Sequence, residues 1–244
     1  MNAIQEKSTA VKAKIAQSAR AAGRDPEEIT LVSVTKTKPA SILIEAYEAG
    51  LRHFGENRTH ELEEKRPFLE KQLGQDSDIT WHFIGNLQSR KAKIVADYAD
   101  IFHAVDRVKI VNRLQARLLE NGRQLSVFIE VNTSGEMSKS GVNCTNLLED
   151  ATQQAELRNV VQAIEKSPNL TLLGLMTMAP WGAPEEEIRT VFSKTKQCSD
   201  WLRNTMNFKR PLQLSMGMTD DYPIAIAEGA THVRVGRAIF GERN

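Results

Sequence analysis

Cysteine is scarce in this sequence, and its two copies lie in no pattern that binds metal or builds a disulfide framework. Cys144 and Cys198 are far apart and belong to no CxxC pair or Cys/His cluster. The sequence therefore predicts neither a zinc site nor a disulfide scaffold. Unpaired thiols of this kind suit a reducing compartment, and we expect the protein in the cytoplasm.

Long apolar runs, a leader segment and a charge imbalance are also lacking. No run approaches the roughly 18 apolar residues that span a bilayer, and the first twenty residues lack the apolar core of a secretory signal. The formal net charge is +1, so the overall balance favours neither nucleic acid nor an anionic membrane as a partner. Any anion must be bound locally.

What the sequence has is a regular alternation of short apolar runs and helical stretches. Apolar residues among many alanines predict a first helix from Asn2 to about Ala22. Glycines 50, 122 and 229 stand where three later helices should end. The predicted strands are residues 29–35, 51–55, 80–85, 101–106, 125–132, 170–177, 212–217 and 232–236, and the predicted helices between them are 40–49, 57–72, 86–98, 107–121, 145–166, 184–204 and 220–228.

Strands that alternate with helices are typical of parallel strands joined by helical crossovers. Eight such units without a linker favour a closed (β/α)8 TIM-type barrel with an additional N-terminal helix, in an α/β fold that forms one domain over residues 1–244. The alternative is an open, doubly wound sheet. No GxGxxG follows the first predicted strand, and no GxxxxGK[ST] occurs, so a dinucleotide site is not indicated.

In a barrel the functional residues lie at the C-terminal ends of the strands, and phosphate is often bound after the last two. Ser215-Met216-Gly217 and Gly236-Arg237 occupy those two places. Their glycines let the backbone approach an anion, and the serine adds a hydroxyl donor. The alternative is a pair of tight turns with a helix cap at Thr219.

Two basic residues at the barrel mouth need an explanation beyond solubility. Arg234 lies within the last strand, two residues before Gly236, and because side chains alternate along a strand it lies on the same side as Gly236. A guanidinium directed into the barrel is always charged, so it must meet a carboxylate or a ligand acceptor. Lys36 follows the first strand beside a second cation, Lys38. A partly desolvated amine in such a place tends to lose its proton near neutral pH, and a free amine condenses with an aldehyde.

These motifs resemble the pyridoxal phosphate homeostasis proteins, relatives of the barrel of bacterial alanine racemase. The resemblance covers nearly the whole chain, through "LVSVTKTKP", "HFGENR", "WHFIGNLQSRK", "VNTSGEMSKSGV", "GLMTMAP" and "LSMGMTDDYPIAIAEGATHVRVGRAIFG". One departure is Thr219, where the family often has serine.

The resemblance implies a bound cofactor, pyridoxal 5′-phosphate (PLP), held by a Schiff base to Lys36. It further implies that Arg234 faces the pyridine nitrogen and that Asn57 lies close to the ring. The phosphate would be held by Ser215 with the backbone at Met216, and by Gly236 with Arg237. Lys38 is implied to be a neighbour that tunes the site.

A cation at the pyridine nitrogen disfavours its protonation, so the cofactor would be a weak electron sink. The resemblance also implies that the racemase's catalytic tyrosine, which comes from an additional β-domain, has no counterpart here, and Tyr222 is a poor substitute. We therefore expect a monomer that buffers PLP and delivers it to apo-enzymes without robust catalysis.

The alternatives are a PLP-dependent racemase or related enzyme, and a Schiff-base aldolase, whose lysine usually lies on the sixth strand, where this sequence has none. His82 is expected to be a hydrogen-bonded residue of the barrel rather than a base.

Overall fold

The computed structural model describes residues 3–74, 77–136 and 139–242. Its strands are all parallel to their neighbours, and eight of them form a barrel. The strands are β1 (Thr30–Val34), β2 (His53–Glu56), β3 (Thr80–Phe83), β4 (Ile101–Val105), β5 (Leu125–Asn132), β6 (Val142–Asn143), β7 (Leu170–Met176), β8 (Gln213–Met218) and β9 (His232–Val235).

The sheet closes on itself. β1 pairs with both β2 and β9, and β4 pairs with β5, so the order β4-β3-β2-β1-β9-β8-β7-β5 returns to its start. β6 pairs with β5 outside this ring. Closure leaves the eight barrel strands without an open edge, which confirms the predicted TIM-type barrel over the doubly wound alternative.

Helices cover the outside of the barrel and connect its strands. The predicted helices are all present, with most ends shifted by one or two residues; the fourth predicted helix begins instead as a 3₁₀ turn, Ser89–Lys91, and the sixth begins at Ala151. The α-helices are α1 (Ala3–Ala21), α2 (Ala40–Glu48), α3 (Thr59–Leu73), α4 (Ala92–Tyr98), α5 (Val108–Asn121), α6 (Ala151–Glu165), α7 (Glu185–Thr205), α8 (Tyr222–Ala227) and α9 (Arg237–Phe240). A further 3₁₀ turn spans Pro26–Glu28.

The N-terminal helix α1 packs on the barrel's outer layer, as predicted. It buries one stripe of side chains, Ile4, Val11, Ile15 and Ala19, against α8 and α9. Arg24 fixes the chain after α1, because its Nη1 donates to the carbonyl of Ala230 at 2.7 Å beyond the end of α8. Among the described helices, none is long and apolar enough to cross a membrane.

The interior of the barrel carries several polar side chains, unlike the apolar layer between strands and helices. Phe54, Phe83 and Phe102 are fully buried and belong to the large apolar cluster. The buried polar side chains of the strands include His82, His103, Ser215, His232 and Arg234, each at most 6% exposed. Because buried polar groups need hydrogen-bond partners, this interior has to be a connected network.

Candidate functional site

A cavity of about 740 Å³ opens at the C-terminal ends of the barrel strands, where the sequence predicted the functional residues. Its volume lies within the range of about 300–1,000 Å³ that is typical of small-molecule sites. Of the seven predicted site residues, five line it: Lys36, Asn57, Arg234, Gly236 and Arg237. They come from loops and strands that are far apart in sequence, so closure of the barrel is what brings them together.

Lys36 lies in a tight turn directly after β1. The next residue, Thr37, has a φ of 64°, which is uncommon for a β-branched side chain. The turn is held from α3, because the Thr37 N–H donates to Oε2 of Glu61 at 2.7 Å and Nζ of Lys65 donates to the carbonyl of Thr35 at 2.9 Å. Lys36 is half-buried in this turn and lines the cavity.

A buried ion-pair network lies behind the Lys36 turn. Nζ of Lys65 is 2.8 Å from Oε1 of Glu56 and 2.7 Å from Oε2 of Glu61, and the three side chains are at most 9% exposed. Burial raises the pKa of Glu56 to about 7, against the opposing effect of Lys65. Burial also acts on Glu61, but the bonds from Lys65 and the Thr37 N–H prevail and lower its pKa. The network holds the turn rigidly and was not predicted from the sequence.

Lys38 lines the cavity on the other side of Thr37. Its Nζ donates to the backbone carbonyl of Glu242 at 2.8 Å, which ties the turn after β1 to the segment after α9. The sequence, which shows two lysines one residue apart, gives no sign of this contact of Lys38.

Arg234 is 4% exposed and reaches the floor of the cavity from β9. Its Nη1 donates to the carbonyl and the hydroxyl of Ser215, at 2.8 and 2.7 Å, and its Nη2 donates to the carbonyl of Thr177 at 3.0 Å. Burial lowers the pKa of Arg234 to about 10, while Asp221 and Glu130 act in the opposite direction. The guanidinium therefore remains a cation at neutral pH.

Asn57 presents a buried amide at the cavity wall. Within the described part of the chain its Oδ1 has no hydrogen-bond partner, so a ligand group could satisfy it. Its backbone is fixed by close contact with Gly85, since a Cβ at Gly85 would lie 2.3 Å from the Asn57 carbonyl oxygen. Position 85 thus requires glycine to keep Asn57 at the wall.

The turns after β8 and β9 lie at the cavity, on the side where the sequence predicted an anion site. Gly236 packs on β1 so tightly that a Cβ there would lie 3.1 Å from the carbonyl oxygen of Val34. Arg237 follows it and pairs with Asp220, which neutralises one of the two carboxylates that the sequence places beside the anion site. The second, Asp221, accepts a hydrogen bond from the Met218 N–H and so closes the turn after β8.

The structure does not bring Ser215 or Met216 to the cavity wall. β8 continues to Met218, so Ser215 lies inside the barrel three residues before the strand end, with its hydroxyl bonded to Arg234 and His103. Met216 is fully buried in the apolar cluster. The β8 residues at the cavity are Met218 and, after the strand, Thr219. The sequence prediction ended this strand one residue early, at residue 217.

Two other features of the site were missed by sequence reasoning. The Glu56–Lys65–Glu61 network is visible in the sequence only as ordinary helix charges at a spacing of four on α3. Trp181, in the loop after β7, lines the cavity although it is 86% exposed. Tyr222, by contrast, is not among the cavity residues, and His82 is fully buried and hydrogen-bonded to two histidines, as expected.

Comparison with known families supports the architecture. The sequence matches the family described as alanine racemase, N-terminal domain, over residues 8–244. Alanine racemase from Clostridium difficile superposes with a TM-score of 0.69, covering 95% of this chain and 59% of that one, at 13% identity. At that identity the similarity shows the fold alone.

Closer relatives match the chain end to end. The pyridoxal phosphate homeostasis protein of Escherichia coli K12 is 42% identical, over 100% of this chain and 98% of the relative, and that of Aquifex aeolicus is 37% identical over 100% and 99%. The PipY protein of Synechococcus elongatus, solved with PLP bound, superposes with a TM-score of 0.80 at 32% identity, covering 98% of this chain and 100% of that one.

Proposed function

Since this chain belongs to the pyridoxal phosphate homeostasis protein family, we propose that it binds PLP in the cavity through a Schiff base to Lys36. We further propose that it buffers PLP and delivers it to apo-enzymes as a monomer, without robust catalysis. The observation that supports this most strongly is that the amine of Lys36, the buried guanidinium of Arg234 and the turns after β8 and β9 line one cavity.

The described residues fit the chemistry of PLP. The ligand brings an aldehyde, a pyridine nitrogen and a phosphate, and the cavity offers a lysine amine, a guanidinium and the turns at Thr219 and at Gly236–Arg237. The orphaned Oδ1 of Asn57 offers a further polar contact beside the ring. We assign the phosphate to the turns at Thr219 and at Gly236–Arg237, with Ser215 and Met216 supporting the first turn from within β8.

Lys36 supplies the covalent attachment. Its amine would form a C=N bond to the aldehyde carbon of the cofactor, with the aldehyde oxygen released as water. The Thr37 turn, held by Glu61, keeps the amine at the cavity wall and limits the entropy lost on attachment. Lys38, tied to the Glu242 carbonyl, acts as a neighbouring charge rather than as the point of attachment.

Arg234 favours storage of PLP over catalysis with it. When bound, PLP supplies an electron-withdrawing ring, whose strength depends on protonation of the pyridine nitrogen. A guanidinium that stays charged at neutral pH disfavours a second positive charge on that nitrogen. The residue therefore binds and orients the ring without activating it strongly.

The racemase alternative requires a second proton-transfer group at the cavity. Among the described residues that line it there is no tyrosine or histidine, and Tyr222 packs instead beside Gly217. We accordingly rank racemase chemistry below storage. Exchange of the amino-acid Cα proton in heavy water, at rates typical of metabolic enzymes and dependent on Lys36, would support the enzyme and contradict our proposal.

The test of binding is a visible absorption titration with PLP, on wild type, Lys36→Ala and Lys38→Ala. We expect a new absorption band in wild type and in Lys38→Ala that borohydride removes, and no such band in Lys36→Ala. A band in Lys36→Ala as strong as in wild type would overturn the assignment of the lysine.

Delivery is tested separately, by mixing the loaded protein with an apo form of a PLP-dependent enzyme. We expect recovery of the enzyme's activity to run faster than spontaneous release of PLP from the loaded protein alone. Recovery at the rate of spontaneous release would contradict direct delivery and would be consistent with buffering alone.

A further inference from the structure

A continuous chain of hydrogen bonds crosses the barrel interior and ends at Arg234. His53 Nδ1 lies 3.0 Å from His82 Nε2, and His82 Nδ1 lies 2.8 Å from His103 Nε2. His103 Nδ1 lies 2.8 Å from the Ser215 hydroxyl, which in turn accepts from Arg234 at 2.7 Å. These five residues, which we call the histidine relay, come from β2, β3, β4, β8 and β9.

The histidines of the relay are neutral. Burial lowers the pKa of His82 and of His103 well below 6.5, and neighbouring imidazoles and Arg234 add to the effect on His103. Burial also lowers the pKa of His53, which is half-buried at the N-terminal end of β2. A neutral imidazole has one donor and one acceptor nitrogen, so each bond of the relay must have a defined direction.

Arg234 sets that direction. A guanidinium has only donors, so the Ser215 oxygen must accept from it. The Ser215 hydroxyl has two side-chain partners in the described chain, Arg234 and Nδ1 of His103, and only the latter can accept its proton. His103 must therefore carry its proton on Nε2 and donate it to His82, and His82 must donate from Nε2 to His53.

The opposite direction leaves a group unsatisfied. If His103 Nδ1 donated to Ser215, the hydroxyl would accept from two donors, and its own proton would lack an acceptor in the described part of the barrel. An unmade hydrogen bond on a fully buried hydroxyl costs about 1–3 kcal/mol. One direction is therefore strongly preferred.

We propose that His103 and His82 are positioning residues for the cofactor site: they orient the Ser215 hydroxyl so that it offers only lone pairs to Arg234, and thereby hold the guanidinium where the pyridine nitrogen binds. The proposal rests on the proposed function for its ligand. It assigns Ser215 a place behind the guanidinium, and it explains why the barrel keeps a row of imidazoles where apolar side chains would pack more simply.

His232 provides a matched control. It lies in the same interior layer, with its ring centroid 6.0 Å from that of His103, and it is similarly buried. Its Nδ1 bonds to Thr231 Oγ1 at 3.0 Å, outside the relay. Replacing His232 therefore removes a buried imidazole from the same layer while the path to Arg234 stays intact.

The direction of the relay is tested by ¹⁵N NMR of the histidine rings in wild-type protein without PLP. We expect His82 and His103 to be neutral and protonated at Nε2. We also expect Ser215→Ala to change the ¹⁵N chemical shifts of the His103 ring more than those of the other histidines. A proton on Nδ1 of His103 in wild type would overturn the proposal, whatever the variants do.

Its consequence for the ligand is tested with His103→Leu and His232→Leu, after both are shown to be folded by circular dichroism. We expect His103→Leu to weaken PLP binding by about tenfold and to shift the absorption maximum of the bound ligand, because the Ser215 hydroxyl that accepts from Arg234 is no longer held in one orientation. His232→Leu should stay within about twofold of wild type. Ser215→Thr, which retains the hydroxyl, should bind more tightly than Ser215→Ala.

The outcomes separate this proposal from the proposed function. If wild type binds PLP through Lys36 and both histidine variants bind equally well, the relay does not position Arg234 and the binding assignment stands. If wild type does not bind PLP, the proposed function is wrong, and the NMR result still decides the direction of the relay. Should His103→Leu not fold, Ser215→Ala and Ser215→Thr carry the same comparison.

Discussion

At the scale of single residues, burial decides the behaviour of the charged groups around the cavity. Glu130, on β5, is 3% exposed, and its Oε2 has no partner within the described chain. Burial raises its pKa to about 7, Asp106 raises it further, and Arg234 acts the other way. Wild type must therefore ionise a poorly solvated carboxyl as the pH approaches and passes 7.

Glu130→Gln tests this. A carboxyl whose pKa is raised from 4.5 to about 7 on folding stabilises the native state fully below pH 4.5, and that contribution is lost as the pH rises to 7. Glutamine does not ionise, so only wild type loses this contribution. The free energy of unfolding of Glu130→Gln minus that of wild type should therefore increase by up to about 3 kcal/mol from pH 4.5 to pH 8. Urea unfolding at several pH values without PLP measures the difference, and a difference that does not change with pH would contradict the assignment.

At the scale of elements, helix α3 acts as the support of the turn after β1. Lys65 is the cation shared by Glu56 and Glu61, and it also donates to the Thr35 carbonyl. Leu62 and Leu69 of the helix pack against the barrel. Glu61 and Lys65 of the same helix hold the strained turn at Thr37. The sequence alone gives no sign of the second role, because Glu56 lies on β2 and only the fold brings it to Lys65.

Lys65→Met should be strongly destabilising, because it leaves two buried carboxyl groups without their cation. Loss of one partner from a buried pair typically costs about 3–5 kcal/mol. The matched control is Arg58→Met, at the residue just before the same helix. The Arg58 side chain is 58% exposed, its Nη1 lies 3.9 Å from Oε1 of Glu61, and exposed pairs contribute about 0–1 kcal/mol. Chemical unfolding compares the two, and equal losses would show that the network does not support the fold.

At the scale of the whole molecule, α1 packs on the last two helices of the barrel. Its apolar stripe lies against α8 and α9, the helices that follow β8 and β9. Ile15 is 4% exposed, whereas its neighbour Lys14 is exposed. The N-terminal helix therefore supports the last two β/α units from outside.

Ile15→Ala should lower the free energy of unfolding by about 2–4 kcal/mol, the usual cost of removing a buried aliphatic side chain. Lys14→Ala is the control and should change it by less than about 0.5 kcal/mol. Near-UV and far-UV circular dichroism should report a single coincident transition in both variants. Early loss of helical signal in Ile15→Ala would instead show that α1 unfolds separately from the barrel.

Much of the fold was readable from local patterns. Alternating apolar runs predicted the eight barrel strands within a few residues of their observed ends, because burial on both faces leaves a signature in each strand. Glycines 50, 122 and 229 marked helix ends correctly, with φ values of 79°, 69° and 100°. Family motifs then selected five residues that line one cavity.

The sequence by itself determined the order of strands and helices, the N-terminal helix and the strand ends that carry lysine, asparagine, arginine and glycine, since these depend on local periodicity and residue type. Only the tertiary structure decided that Ser215 lies behind Arg234 while Thr219 reaches the cavity, and that His53, His82 and His103 form a chain. The reason is register: one residue along a strand reverses the face of a side chain, and contacts across a closed barrel depend on how all eight strands are staggered.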